Sequence, residues 1–111
     1  MDTLTHSRDL IKSILQEHAQ HKPTYGDIEV ELILDDERGH YELSYIGWDS
    51  YRRIHGSVIH VDIRDGKIWV QHDGTEEGVA SRLLEEGVPP EQIVLAFQHP
   101  YKRKYTPFAV S

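Results

Sequence analysis

His60-x-Asp62 is the spacing in this sequence that points most directly to chemistry. Two residues apart on a strand, an imidazole and a carboxylate share one face. His72-Asp73 lies just past the end of the next expected strand, so His60, Asp62 and His72 are the candidate ligands of a metal-dependent enzyme. The diagnostic His-Glu-x-x-His pattern is absent, and solvated or hydrogen-bonded histidines are the competing reading. His18-x-x-His21 is a weaker pair at an expected helix end. Covalent catalysis has no candidate, because the chain has no cysteine and no Gly-x-Ser-x-Gly elbow. Asp73-Gly74-Thr75 resembles a phosphate loop at a helix N-terminus. Glu76 and Glu77 already occupy that positive end, however, and no Lys-Ser or Lys-Thr follows. Asp65-Gly66-Lys67 has the letters of a restriction-type nuclease core but falls in an expected turn.

The second kind of chemistry is charge and aromatic surface. Tyr101-Lys102-Arg103-Lys104-Tyr105 interleaves bases with rings, the combination with which single-strand binders stack bases and follow a backbone. Arg52 and Arg53 follow Tyr51 and form a smaller cluster of the same kind. The body works against broad phosphate contact. The chain holds 12 Lys and Arg against 19 Asp and Glu, a net charge of −7. Setting aside the three bases at 102–104 leaves nine against 19, or −10. Nucleic acid is therefore met locally or through a partner.

The elements that must position these residues follow from hydrophobic periodicity. Leu4, Ile11, Ile14, Leu15 and His18 recur at helical spacing, with Asp2, Thr3 and Thr5 as N-cap candidates and an end near His21 before Pro23. Residues 28–35, 40–48, 54–64 and 67–72 alternate as four strands. Gly39 and Asp65-Gly66 provide the hairpin turns. Thr75 is the expected N-cap of a second helix carrying Val79, Ala80, Leu83 and Leu84, with Gly87 as its C-cap. Residues 93–97 read as a strand or buried extended segment, and 99–111 as extended and partly exposed. The expected fold is α+β: one domain over residues 1–111, a four-stranded antiparallel meander with two helices on one face, in the order α-β-β-β-β-α-β. The 111-residue chain shows no signal-peptide pattern and no apolar run long enough for a membrane span, so a cytoplasmic location is expected.

If Leu32, Leu43, Val61 and Val70 face the helices, the second face carries Ile33, Ile46, Trp48, Val58, His60, Asp62 and Trp69. Tryptophan is enriched at interfaces. Either residues 88–111 fold back over this face, or it meets a partner or a second copy. Ile33, Ile46, Trp48, Val58 and Trp69 are the partner-binding candidates. Arg52, Arg53, Tyr101, Lys102, Arg103, Lys104 and Tyr105 are the candidates for nucleic acid or a partner.

Several segments also resemble a known family. They are Tyr25-Gly26-Asp27-Ile28-Glu29, Gly47-Trp48, Arg52-Arg53-Ile54-His55-Gly56, Lys67-Ile68-Trp69-Val70-Gln71, Asp73-Gly74-Thr75-Glu76 and Pro100-Tyr101-Lys102-Arg103-Lys104-Tyr105-Thr106. In this order, over essentially the whole chain, they resemble the XisI family, the fdxN-element excision controlling factors of cyanobacteria. The resemblance implies control of a DNA-element excision programmed in heterocyst development, with strand exchange left to a separate recombinase. It implies a non-enzymatic accessory protein without a cofactor, bound to a nuclease-like XisH-type partner.

Overall fold

The computed structural model describes residues 3–111, so the N-cap candidate Asp2 lies outside the described residues. Helix α1 (Thr3–Ala19) comes first. Strands β1 (Asp27–Asp35), β2 (His40–Asp49), β3 (Arg52–Arg64) and β4 (Lys67–Asp73) then run as an antiparallel meander. Helix α2 (Val79–Glu85) crosses over to β5 (Ile93–Leu95), which pairs parallel to β4. Helix α3 (Pro100–Arg103) follows. The sheet order is β1-β2-β3-β4-β5. The α+β fold holds, with the last strand joining the meander as a fifth, parallel member. Among the described residues no helix is long and apolar enough to cross a membrane.

The alternation in the sequence becomes a two-sided sheet. On one side, Ile11, Ile14 and Leu15 of α1 and Val79 and Leu83 of α2 close over Tyr41, Leu43, Ile59, Val61, Ile68 and Val70. Burying side chains of this size contributes roughly 1.5–3 kcal/mol each. Polar ties lock α1 down. Lys12 Nζ donates to Asp36 Oδ2 at 2.8 Å, and the buried Tyr41 hydroxyl donates to Asp36 Oδ1 at 2.7 Å. Those two bonds hold the Asp36 carboxyl below its usual range, the lysine contributing most. Burial, then the Asp36 bond, pushes the Tyr41 phenol well above its ordinary value. Arg82 on α2 donates to Glu17 on α1 at 2.9 Å and depresses the glutamate's pKa.

Several sequence expectations shift. Helix α1 ends at Ala19, two residues before His21. Helix α2 begins at Val79, not after Thr75, because Gly78 at φ +92 stands outside helical geometry. Its first turn is capped from further back. Asp73 Oδ2 accepts from Val79 N at 2.6 Å, and Thr75 Oγ1 accepts from Gly78 N at 3.1 Å. The tail is not extended. His99 Nδ1 accepts from Tyr101 N to start α3, and Ala109 returns to bridge Val94 along β5. Asp65 and Gly66, both at positive φ, make the expected tight turn between β3 and β4.

Two irregularities decide which residues reach the second face. Leu43 pairs with Ile59 while Ser44 pairs with Ser57, leaving Val58 as an extra residue. Val58 packs against the helix-side core, which removes it from the second face where simple alternation placed it. Val61 pairs with Val70 while His60 pairs with His72, so Gln71 is extra in β4.

Candidate functional site

The second face has a polar centre and an aromatic group at each end. At the centre, His40 pairs with Asp62 and Glu42 with His60 across β2 and β3, so two imidazoles and two carboxylates form a square. His40 Nδ1 lies 2.9 Å and His60 Nε2 3.0 Å from the same oxygen, Asp62 Oδ1. His40 Nε2 is 3.4 Å from Glu42 Oε1. The other Asp62 oxygen accepts from Arg64 Nη2 at 3.1 Å and Gln71 Nε2 at 3.3 Å. Asp62 is 5% exposed, so its charge depends on these partners rather than on water. A cavity of about 460 Å³ opens beside it, lined by Ile33, Asp35, Arg38, His40, Asp62 and Arg64.

The expected trio of His60, Asp62 and His72 is corrected here. His72 is exposed and stands outside the cluster, and His40 takes its place. Sequence reasoning missed His40, although His40-x-Glu42 repeats the spacing of His60-x-Asp62 one strand earlier. Pairing the two dipeptides required the β2–β3 register.

At the β4–β5 end, the tail closes over Trp69. Val94, paired with Trp69, is fully buried there. The Trp69 indole donates to Arg64 O at 3.3 Å, and the Arg103 guanidinium lies 5.7 Å from the ring centroid. Arg103 is 9% exposed and donates to three backbone carbonyls, those of Ala96, Gln98 and Val110. It was expected as an exposed contact for nucleic acid or a partner. The structure instead makes it an internal tie of the tail, because those carbonyls, left unpaired by the short elements around α3, need a donor. Lys102, Lys104, Tyr101 and Tyr105 remain exposed. Lys104 Nζ sits 4.5 Å from the Tyr101 ring centroid and 5.2 Å from that of Tyr105.

At the opposite corner Trp48 is 50% exposed. Arg53, its cross-strand partner, lies 5.3 Å from the ring centroid and donates to Gly47 O at 3.3 Å. A shallow recess joins them to Asp27, Glu29 and Ile46. Arg52 and Tyr51 stand at the β2–β3 turn, Tyr51 being 99% exposed. Gly47 makes this corner possible, since a Cβ there would collide with the Asp27 carbonyl. Ile33 lies on the same face beside the central cavity, 36% exposed.

The fold and this face define a class: a small α+β protein with one helix-covered sheet face, and a second face that is polar at its centre and aromatic at its ends. Comparison with known proteins makes the class specific. The sequence model of the XisI protein family matches residues 1–110, and the chain belongs to that family. The crystal structure of a XisI-like protein from Anabaena variabilis ATCC 29413 shares 45% identity. It superimposes with a TM-score of 0.91 over 98% of this chain and 100% of that one. The crystal structure of the fdxN element excision controlling factor XisI from Anabaena variabilis ATCC 29413 shares 32% identity, with a TM-score of 0.87 over 99% and 100%. No curated protein sequence matches the chain.

Proposed function

We propose that this chain is a regulatory accessory protein of a DNA-element excision system, acting by binding a nuclease-like XisH-type protein rather than by catalysis. Family membership and similarity to an excision controlling factor support the regulatory part. The observation that carries the binding part is the open Trp48–Arg53 corner, flanked by Arg52 and the fully exposed Tyr51. Tryptophan, tyrosine and arginine are the side chains on which interface energy concentrates, and a half-exposed indole under a guanidinium loses water on both groups when a partner seats. Co-expression with an XisH-type protein tests the reading. A single co-eluting species that Trp48→Ala splits into two supports it, and separate elution of the unmodified chains overturns it.

Direct nucleic-acid binding through the tail is the weaker reading. Arg103 is committed to backbone carbonyls, which leaves two exposed cations in the run. The ring faces nearest Lys104 already carry its ammonium group. Self-association through the same corner is the other competing occupant. Sedimentation of the isolated chain separates self-association from partner binding, and a salt titration with single-stranded DNA isolates the tail.

A further inference from the structure

We infer that His40, His60 and Asp62 form a binding site for a divalent first-row transition-metal ion of the zinc class. This inference does not rest on the partner-binding reading. One imidazole nitrogen from each of His40 and His60 and a carboxylate oxygen of Asp62 all lie within 4.8 Å of one another. The two nitrogens stand 2.9 and 3.0 Å from Asp62 Oδ1. Ligands about 2.1 Å from a tetrahedral ion are about 3.4 Å apart, so small rotations of the two rings open the needed space. All three residues sit on paired strands, which fixes the spacing before any ion arrives.

Both ring nitrogens of His40 face a carboxylate, Nδ1 at 2.9 Å from Asp62 Oδ1 and Nε2 at 3.4 Å from Glu42 Oε1. With Nδ1 given to an ion, the ring N–H sits on Nε2, where Glu42 accepts it. The surroundings are those of a ligand set. Metal-bound histidines characteristically donate their second N–H to a carboxylate, and metal-bound carboxylates are themselves held by donors. Glu42 plays the first part, and Arg64 and Gln71, both on Asp62 Oδ2, play the second. Arg64 opposes a cation, but it sits on the far oxygen and its side chain is 61% exposed, so water screens it.

Two imidazole nitrogens with one carboxylate oxygen favour zinc, cobalt or nickel over calcium or magnesium. Three protein ligands would leave one coordination position for water or a small ligand, and a cavity lined by His40 and Asp62 opens beside the cluster.

The test uses the tag-free full chain, stripped with a chelator and titrated with ZnCl2 by calorimetry. One saturable equivalent per chain, with a rise in Tm, is expected. His60→Ala should weaken binding at least ~100-fold and Glu42→Gln about 10-fold, in line with losses of outer partners. His72→Ala should bind as the unmodified chain does. Co²⁺ loading of the unmodified chain, which needs no variant to fold, should give the intense visible absorption of tetrahedral cobalt. No saturable binding, unchanged binding in a folded His60→Ala variant, or the faint absorption of fully hydrated cobalt would each overturn the site and leave a hydrogen-bonded network in its place.

Discussion

Both tryptophans of the second face carry an arginine over the ring, at 5.3 Å for Trp48–Arg53 and 5.7 Å for Trp69–Arg103. The pairs look alike, but their arginines do different things. Arg103 is buried and its N–H groups are spent on the carbonyls of residues 96, 98 and 110, so it fastens the tail to the sheet. Arg53 is exposed, with one long bond to Gly47 O. A guanidinium that donates from each of its three nitrogens inside the fold stabilises the fold. One whose donors face water can be taken up by something else. The second face therefore divides into a structural end and an open corner.

The largest effect should follow from Arg103→Ala. It strands three partly buried carbonyls and uncovers Trp69, so a loss of about 2–4 kcal/mol is expected in urea unfolding, with red-shifted tryptophan emission. Arg103→Lys should recover little, because one ammonium cannot reproduce the planar fork. A loss below about 0.5 kcal/mol, the range of an ordinary surface change, would erase the distinction between the two ends. Next comes Gly47→Ala. Its Cβ collides with the Asp27 carbonyl at the base of the open corner, so β1 and β2 must separate there. Roughly 1–3 kcal/mol should be lost, with hydrogen exchange rising at the Trp48 end and not at β4–β5.

How much of this was legible in the sequence follows the same division. Helices α1 and α2, the four meander strands and the turns at Gly39 and Asp65-Gly66 could be read, because burial on one side imposes alternation and turn chemistry is local, whereas α3 could not be. Trp48 and Arg53 could be read as surface candidates, since a regular strand pair placed them. Val58, His40 and Arg103 could not. Val58 was misplaced by a bulge, which changes which residues share a face without changing the composition of the strand. His40 joins the cluster only through long-range register. Arg103 sits in a run of three bases that looks solvated until the tail closes, and its role depends on carbonyls up to seven residues away.

At the open corner stability and binding should separate. Trp48→Ala removes a half-exposed ring, so its cost to folding should be about 1 kcal/mol or less. If the corner seats a partner, the same change should weaken that complex at least ~30-fold, the scale of an interface hot spot. Arg53→Ala should cost the fold less still, about 0.5–1 kcal/mol, as expected for an exposed cation–π pair. A Trp48→Ala variant that loses as much stability as Arg103→Ala, with binding intact, would make both ends structural.

The smallest effect is a pH control, because the acids with displaced pKa values lie on the helix side, away from both tryptophan–arginine pairs. Glu17 and Asp36 are depressed below 4.5 and 3.8, so the stability they contribute is present above those values and lost as pH falls through their folded-state pKa. Both are exposed and screened, which keeps the loss small. Tyr41 works in the opposite direction. Its phenol is raised above 10.0, so its contribution is intact below that pH and declines as the solution becomes more alkaline. Acidification below 3.8 should therefore loosen α1 from β2 and from α2, lowering Tm and helical circular dichroism slightly. Tryptophan emission should stay constant, because Trp48 and Trp69 are on the other side of the sheet. Emission that moves together with the helical signal would show that the two faces are coupled, and the open corner could then no longer be treated as independent of the core beneath it.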